Sequence, residues 1–403
     1  MVIILKHDLI IIGAGISGCI CALSALKHDV ENILIIEKSK IPGGAIPPKI
    51  DFAEDLGIKN ILRELKLPIY NESNKSIWVS PGDIEFTFVS KVNDIWIKRG
   101  PSDDSFDSKM IKKLMDSGVD ILFGTYGIKI KNNVVKTLCR GNIEKFNGKI
   151  FVDAGGFDSM ISKNIPKPPC TNIIGFGFWG HDFDLEVGVP YIFFDQNLAT
   201  GSYVLLNVDP KDKVGYFIMG TTNKKNANKK NLEKFIESKE ILREAVRNAS
   251  IKGHIFGHLY SIHRIPTVFQ SDNLILVGDS ARFMDPFLHY GIQPSIISGY
   301  LAGKSIGRYF NGEVDLTEYT ALINKNLIKY LKKRILYRKI FDRLKNRDID
   351  QIFELIRQFE YSGGNIDDLF ENPKNYFSIL SLGIKNVGSI FSLFKSIIKN
   401  NNI

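Results

Sequence analysis

Three carboxylates and two glycine turns hold most of the chemistry that this sequence offers. Residues 274–294 read LILVGDSARFMDPFLHYGIQP: an apolar strand runs into Gly278-Asp279, and a kinked segment with Asp285-Pro286 and Tyr290-Gly291 follows. A strand end is where open α/β sheets place their ligands, so Asp279 is a candidate ligand-holding group. Near the N-terminus, Gly13, Gly15 and Gly18 form G-x-G-x-x-G after an apolar run, and the next strand ends at Glu37 and Lys38. In that pattern the first glycine permits a tight turn, the second lets backbone approach a pyrophosphate, and the third allows close helix–strand packing. The helix N-terminus presents its N–H groups to the phosphates. Glu37 is suited to accept hydrogen bonds from ribose hydroxyls.

These groups need elements to position them. Residues 7–12 predict a strand, the helix after the glycines extends to about Lys27, and NILIIEK predicts the second strand. KSKIPGGAIPPKI reads as an extended loop, because Pro42-Gly43-Gly44 and Pro47-Pro48 break regular structure. Strands are expected around 76–98, a helix near 106–117, a strand at 119–124, and a hairpin returning to the sheet at Asp153. From Cys170 to about Gly220 the pattern is β. NKKNANKKN (223–231) leads into one helix ending near Asn248. After Pro266 the chain rejoins the first domain through the Asp279 strand and a helix near 293–309, and the remainder is helical. The expected fold is α/β: a Rossmann-type domain with a split βαβ, an inserted antiparallel β-sheet domain, and a helical C-terminal region. The expected divisions are 1–70, 99–165 and 267–310 for the first, 71–98 and 166–266 for the second, and 311–403 for the third.

A chain of 403 residues with 44% hydrophobic and 24% charged residues has the composition of an ordinary globular protein. Cys19, Cys21, Cys139 and Cys170 lack metal-ligand spacing, which suggests a reducing compartment without a disulfide framework. His254, His258 and His263 have no carboxylate at convincing spacing, so no metal is expected. Residues 9–26 carry no charge and mimic a signal peptide or a short span. Three glycines in six positions favour a buried strand, turn and helix instead.

The split nucleotide fold identifies the cofactor. NAD domains are usually continuous, whereas FAD extends beyond its dinucleotide portion into a ribityl chain and an isoalloxazine. A second strand end must hold the ribityl hydroxyls and a turn must meet the pyrimidine edge. Asp279 fits the first role; Gly291 and Ile292, at a helix start, fit the second.

GAGISG, IIEK, PGGAIPPK, VDAGG and LVGDSARFMDP…GIQPSIISGYLAG, in this order, resemble the flavoprotein geranylgeranyl reductases, within the larger hydroxylase-like FAD superfamily. The resemblance covers roughly residues 1–310. It implies that Gly13, Ala14, Gly15, Ser17 and Gly18 surround the FAD pyrophosphate, and that Glu37, beside Lys38, holds the adenosine ribose. It also implies that Gly43, Gly44 and Ala45 approach the isoalloxazine with Arg99 near the cofactor. Gly278 and Asp279 would meet ribityl or pyrophosphate oxygens, Gly291 and Ile292 the flavin ring, and Asp153 begins a segment like the superfamily's Asp-Gly motif. Three departures lie where substrate and flavin meet. Pro42 stands where many relatives have Cys, and His289-Tyr290-Gly291 replaces Gly-Gly-Gly. VGYFIMG keeps Tyr216 and Phe217 of an aromatic motif but neither its Trp nor its Pro.

The implied activity is hydride transfer from reduced FAD to double bonds of geranylgeranyl or related polyprenyl chains, in archaeal-type membrane lipid or isoprenoid-quinone metabolism. An isolated alkene accepts hydride only with proton delivery, so an acid and a dry apolar tunnel are needed. Without the Cys, Tyr290 and His289 are the candidate acids, with packing or shielding of the ring as their other role. Tyr216 and Phe217 are candidates for the substrate wall. The alternatives are a flavin-dependent monooxygenase or halogenase-like enzyme, and a catalytically altered paralogue that binds FAD or lipid.

Residues 325–347 contain ten Lys or Arg and one acid, Asp342, an excess equal to the whole chain's net charge of +9. This segment suits anionic headgroups or an acidic electron donor such as ferredoxin, with NAD(P)H the other donor, or it is simply a solvated face. No nucleic-acid motif accompanies it. Residues 376–399 have apolar positions at helical spacing, suited to docking on the protein or lying in a membrane interface. The expected location is cytoplasmic, peripheral on the inner membrane face.

Overall fold

The computed structural model describes residues 6–44 and 49–361. In chain order its elements are β1 (Lys6–Ile12), α1 (Ile16–Lys27), β2 (Ile33–Ile36), β3 (Lys49–Glu54), α2 (Ile58–Glu64), β4 (Asn71–Val79) and β5 (Glu85–Arg99). Then follow α3 (Phe106–Asp116), β6 (Asp120–Leu122), β7 (Thr125–Lys131), β8 (Val134–Cys139), β9 (Asn142–Asp153), β10 (Cys170–His181), β11 (Tyr191–Phe193), β12 (Val204–Val208) and β13 (Gly215–Thr221). The chain continues through α4 (Lys229–Ser238), α5 (Glu240–Val246), β14 (Ser250–Ile262), β15 (Gln270–Ser271), β16 (Leu274–Leu276), α6 (Ile292–Phe310), α7 (Glu318–Ile323), α8 (Lys329–Phe341) and α9 (Asn346–Tyr361).

Two compact units share the chain. Among the described residues, the first takes those within Met1–Asn71, Ile95–Cys170 and Ile262–Arg334; the second takes those within Glu72–Asp94, Thr171–Ser261 and Ile335–Ile403. α7 and the first part of α8 belong to the first unit, because Tyr319, Ile323, Leu327 and Leu331 are buried in its core. The tail at 376–399 lies outside the described residues.

In the first unit the sheet order is β15-β16-β9-β1-β2-β6, with β1 parallel to β2 and β9, and β16 parallel to β9. Both faces of β1 are covered, which is why its second half, Leu9–Ile12, is a continuous apolar run. Leu9 and Ile11 enter the core that α1, α3 and α6 share, while Ile10 and Ile12 pack with Val135 and Phe151 on the other side. The expected hairpin is β8 and β9, extended by β7, which pairs antiparallel with β8. The stretch at 9–26 is the buried strand, turn and helix anticipated above.

α6 packs tightly against α1 because Gly299, Gly303 and Gly307 repeat every four residues on one face. A β-carbon at these positions would lie 2.4 Å from Ser17 O, 2.3 Å from Cys21 O and 2.2 Å from His28 Cβ. Ser24 Oγ also donates to Tyr300 O across this contact at 2.8 Å.

In the second unit β14, β10, β13, β12, β11, β4 and β5 lie in that order. One face carries Phe176, Phe178, Phe193, Leu206, Phe217 and Met219, and α4 and α5 close it with Leu232, Phe235 and Leu242. The single helix expected to end near Asn248 is broken at Lys239, whose backbone is extended. Lys239 is 2% exposed, and its ammonium donates to Ser80 O, Pro81 O and Asp83 Oδ1. A buried ammonium needs all its partners, and reaching them takes residue 239 out of helix.

Candidate functional site

The strand register brings the separate sequence motifs of the first unit together. Ile12 lies opposite both Ile36 and Asp153, and Leu276 lies opposite Asp153. The chain therefore leaves four adjacent strands at Gly13, Glu37, Asp153 and Gly278-Asp279, all at the carboxyl edge of the sheet.

Gly13 takes φ +106°, and a β-carbon there would sit 2.3 Å from Ala154 O. At Gly18 it would sit 2.0 Å from Gly13 O. Gly15 differs: among the described residues nothing lies within 4 Å of its missing β-carbon, and it is the N-cap of α1 with no capping side chain. Among the described residues, the first turn of this 12-residue helix thus faces open space, its N–H groups uncapped by any side chain. Ser17 is buried beside Gly278, where a β-carbon would meet Ser17 Oγ at 2.7 Å.

Glu37 is held by backbone. Its Oε2 accepts from Ala14 N and its Oε1 from Ser39 N, each at 2.7 Å. Each oxygen keeps a second lone pair for a further donor. Lys38 is exposed. Gly43 has φ +60° and fits against Gly100, whose carbonyl oxygen would be 2.4 Å from an added β-carbon. Gly44 is exposed, and Ala45 lies outside the described residues.

Arg99 is buried, and its Nε and Nη2 meet Asp107 Oδ2 and Oδ1 at 2.8 and 2.9 Å. Asp51 lies 3.5 Å from Nη1. Asp107 and Asp51 raise the guanidinium's pKa against the opposing effect of burial, so Arg99 remains a cation. Nothing in the sequence marked Asp107 as its partner, although the eight-residue separation across one turn is short.

Asp153 is fully buried and turns toward its own loop: Oδ1 accepts from Gly155 N at 3.0 Å and from Ser159 Oγ at 2.7 Å. Its Oδ2 is buried without a hydrogen-bond partner among the described residues. Asp279 behaves differently. Its carboxylate makes no hydrogen bond among the described residues, and burial pushes its pKa up to about 6 although Arg282 and Arg99 oppose the shift. Arg282 itself stacks on the Phe157 ring at 3.2 Å and donates to Phe157 O at 2.8 Å.

Residues 285–291 form a turn leading into α6. Asp285 N donates to Tyr290 O at 2.9 Å, and His289 takes the left-handed conformation at φ +59°. His289 is buried and Tyr290 half-buried. Gly291 is the N-cap of α6, Ile292 is its first residue, and no side chain caps it. A β-carbon on Gly291 would lie 3.3 Å from Asp279 Oδ1, so this turn and the Asp279 strand end adjoin.

The second unit separates the two aromatic candidates. Phe217 is fully buried on the face closed by α4 and α5, stacked on Phe178 at 5.1 Å. It belongs to the hydrophobic core of this unit. Successive strand residues point to opposite faces, so Tyr216 lies on the other face, between Trp179 and Asn207 in the register.

Among the described residues no group of three His, Cys, Asp or Glu is placed to hold a metal ion. All four cysteines are free thiols; burial pushes the Cys19 and Cys21 thiols up, leaving them protonated and inert. No helix among the described residues is long and apolar enough to cross a membrane. In the basic segment, Arg334 and Arg338 turn inward into ion pairs, while Lys325, Lys329, Lys332, Lys339 and Arg343 are exposed.

Residues 11–60 match the model of the NAD(P)-binding Rossmann-like domain family. The chain is 23% identical over 388 residues to digeranylgeranylglycerophospholipid reductase 1 of Methanococcoides burtonii, covering 90% of each chain. Its fold is similar to that of a geranylgeranyl bacteriochlorophyll reductase-like protein from Thermoplasma acidophilum, with a TM-score of 0.74 at 18% identity over 87% of this chain and 91% of the other. It is also similar to the myxobacterial chondrochloren halogenase CndH, described as a variant of FAD-dependent halogenases, with a TM-score of 0.64 at 16% identity over 82% and 79%.

Proposed function

We propose, from the membership of this chain in the geranylgeranyl reductase family, that it is an FAD-dependent reductase saturating double bonds of polyprenyl chains on a membrane lipid. The observation that carries this reading is similarity along nine-tenths of the chain to a digeranylgeranylglycerophospholipid reductase. The residues at the strand ends fit FAD. Open space at Gly15 above the uncapped start of α1 suits a pyrophosphate. A carboxylate at Asp279 without a hydrogen-bond partner among the described residues suits ribityl hydroxyls. The uncapped start of α6 suits the electron-rich pyrimidine edge. Glu37 keeps lone pairs for ribose, and Gly43 keeps its loop close to Gly100.

When bound and reduced, FAD supplies a hydride. The chain's own work is to deliver the matching proton, so that positive charge develops at the more substituted alkene carbon and is quenched there. Tyr290, through its phenol oxygen, and His289, through a ring nitrogen, are the proposed donors. Two electrons per double bond come from ferredoxin or NAD(P)H, and exposed lysines of α8 suit an acidic donor or anionic headgroups at the membrane surface.

The fold-level likeness to a halogenase makes reaction with oxygen the competing outcome. One anaerobic experiment separates the two. The protein is reduced, a geranylgeranylated glycerophospholipid is added, and flavin oxidation and lipid mass are followed together. Reoxidation with two hydrogens gained per double bond is expected. A reduced flavin that ignores the lipid but is reoxidised promptly once oxygen is admitted refutes the reductase reading. Replacing Tyr290 by Phe should slow the single turnover at least tenfold; an unchanged rate removes Tyr290 as the donor.

A further inference from the structure

On the reading that FAD occupies the strand-end site, we propose that Tyr330 and Arg334 of α8 are positioning residues that set the flavin-facing turn 285–291 through the carboxylate of Asp285. Asp285 is fully buried. Its Oδ1 accepts from Phe287 N at 2.7 Å and Leu288 N at 3.0 Å, and its own N–H donates to Tyr290 O. One residue therefore closes both ends of the turn that carries His289 and Tyr290 and delivers Gly291 to the start of α6.

The other oxygen faces away from the turn. Asp285 Oδ2 accepts from the Tyr330 phenol and from Arg334 Nε at 3.1 Å. Arg334 continues to Glu54 Oε2 on β3, and its guanidinium lies 5.0 Å from the Tyr330 ring centroid. A buried carboxylate cannot stay ionised on two backbone N–H groups alone without a large desolvation cost. Both side chains from α8 offset that cost, the arginine as a cation and the tyrosine as a neutral donor.

The helix is built to present them. Tyr330 and Arg334 are four residues apart and so share a face. They follow a five-residue π-helical turn, Asn324–Ile328, between α7 and α8. Such a turn inserts one residue and rotates the following face by roughly 100° relative to an unbroken α-helix. A regular helix from 318 onward would aim other residues at Asp285. The left-handed His289 also costs conformational energy that the surrounding contacts must offset. The turn is thus set from outside by α8, 45 or more residues along the chain.

The test uses the full chain with Tyr330→Phe, Arg334→Gln and the conservative Arg334→Lys. Hydrogen exchange of the peptide spanning 283–291 is measured in flavin-free protein, and FAD affinity and the flavin absorption spectrum are measured on the loaded protein. Exchange of the Phe287 and Leu288 amides is expected to accelerate about tenfold in Tyr330→Phe and Arg334→Gln, for the loss of one buried hydrogen bond. FAD affinity should fall in parallel, with a shifted flavin band, and Arg334→Lys should recover part of both. Unchanged exchange at 283–291 with unchanged flavin affinity in Tyr330→Phe, the least disruptive variant, overturns the proposal whatever happens to global stability. A wild-type protein that takes up no FAD would sink the flavin reading instead, and the exchange measurement would still decide whether α8 holds the turn.

Discussion

Replacing Asp279 by Asn should make the flavin-free protein more stable at neutral pH and worse at holding flavin. Burial lifts this carboxyl from 3.8 to about 6, even with Arg282 and Arg99 favouring its ionised form. A folded-state pKa above the unfolded one means that the folded protein binds more protons between about pH 4 and pH 6. Stability contributed by this group is therefore greatest below about pH 4 and declines as pH rises through 6. At 1.36 kcal/mol per pH unit the ionised group costs about 3 kcal/mol at pH 7.5. Asparagine keeps the shape and never ionises. Asp279→Asn should gain about 1 to 3 kcal/mol at pH 7.5 and much less at pH 4.5, read from urea midpoints at the two pH values. Its FAD affinity should fall about tenfold, because an amide is a weaker acceptor than a carboxylate for ribityl hydroxyls. The reasoning is refuted by a stability change that is independent of pH, or by a loss at pH 7.5. A fully flavinated Asp279→Ala protein with unaltered affinity would defeat the placement of flavin there.

Other substitutions test the scaffold. Phe217→Ala should cost about 3–5 kcal/mol of stability by emptying the core beneath α4 and α5, measured by chemical unfolding, whereas Tyr216→Phe should change stability by under about 1 kcal/mol. Gly303→Val would drive a side chain into Cys21 O, 2.3 Å from the β-carbon position, and should separate α1 from α6; loss of flavin together with thermal stability is the expected readout. Arg99→Met strands the buried Asp107 carboxylate and should cost about 3–5 kcal/mol. Adding Asp107→Asn to Arg99→Met should restore much of that loss, since the stranded charge is then gone.

Local sequence determines the parts of this protein that depend on local stereochemistry. Gly13 and Gly18 announce a turn that admits no β-carbon, and the apolar run Leu9–Ile12 announces a strand buried on both faces. Glu37 and Asp279 are legible as strand-end acids for the same reason: polarity at the end of an apolar strand is a one-dimensional signal. Phe217 shows where this stops. Its aromatic character is visible in the chain, but which face of β13 meets α4 and α5 is settled only when the helices dock. Lys239 reads as an ordinary helical lysine until three acceptors from residues 80–83 surround its ammonium and break the helix. Arg99 found Asp107, and Asp285 found Tyr330 and Arg334, through side chains brought together by packing. Charge in the sequence says that a partner is required once a group is buried; which partner meets it follows from how the helices and strands pack, and only tertiary structure decides that.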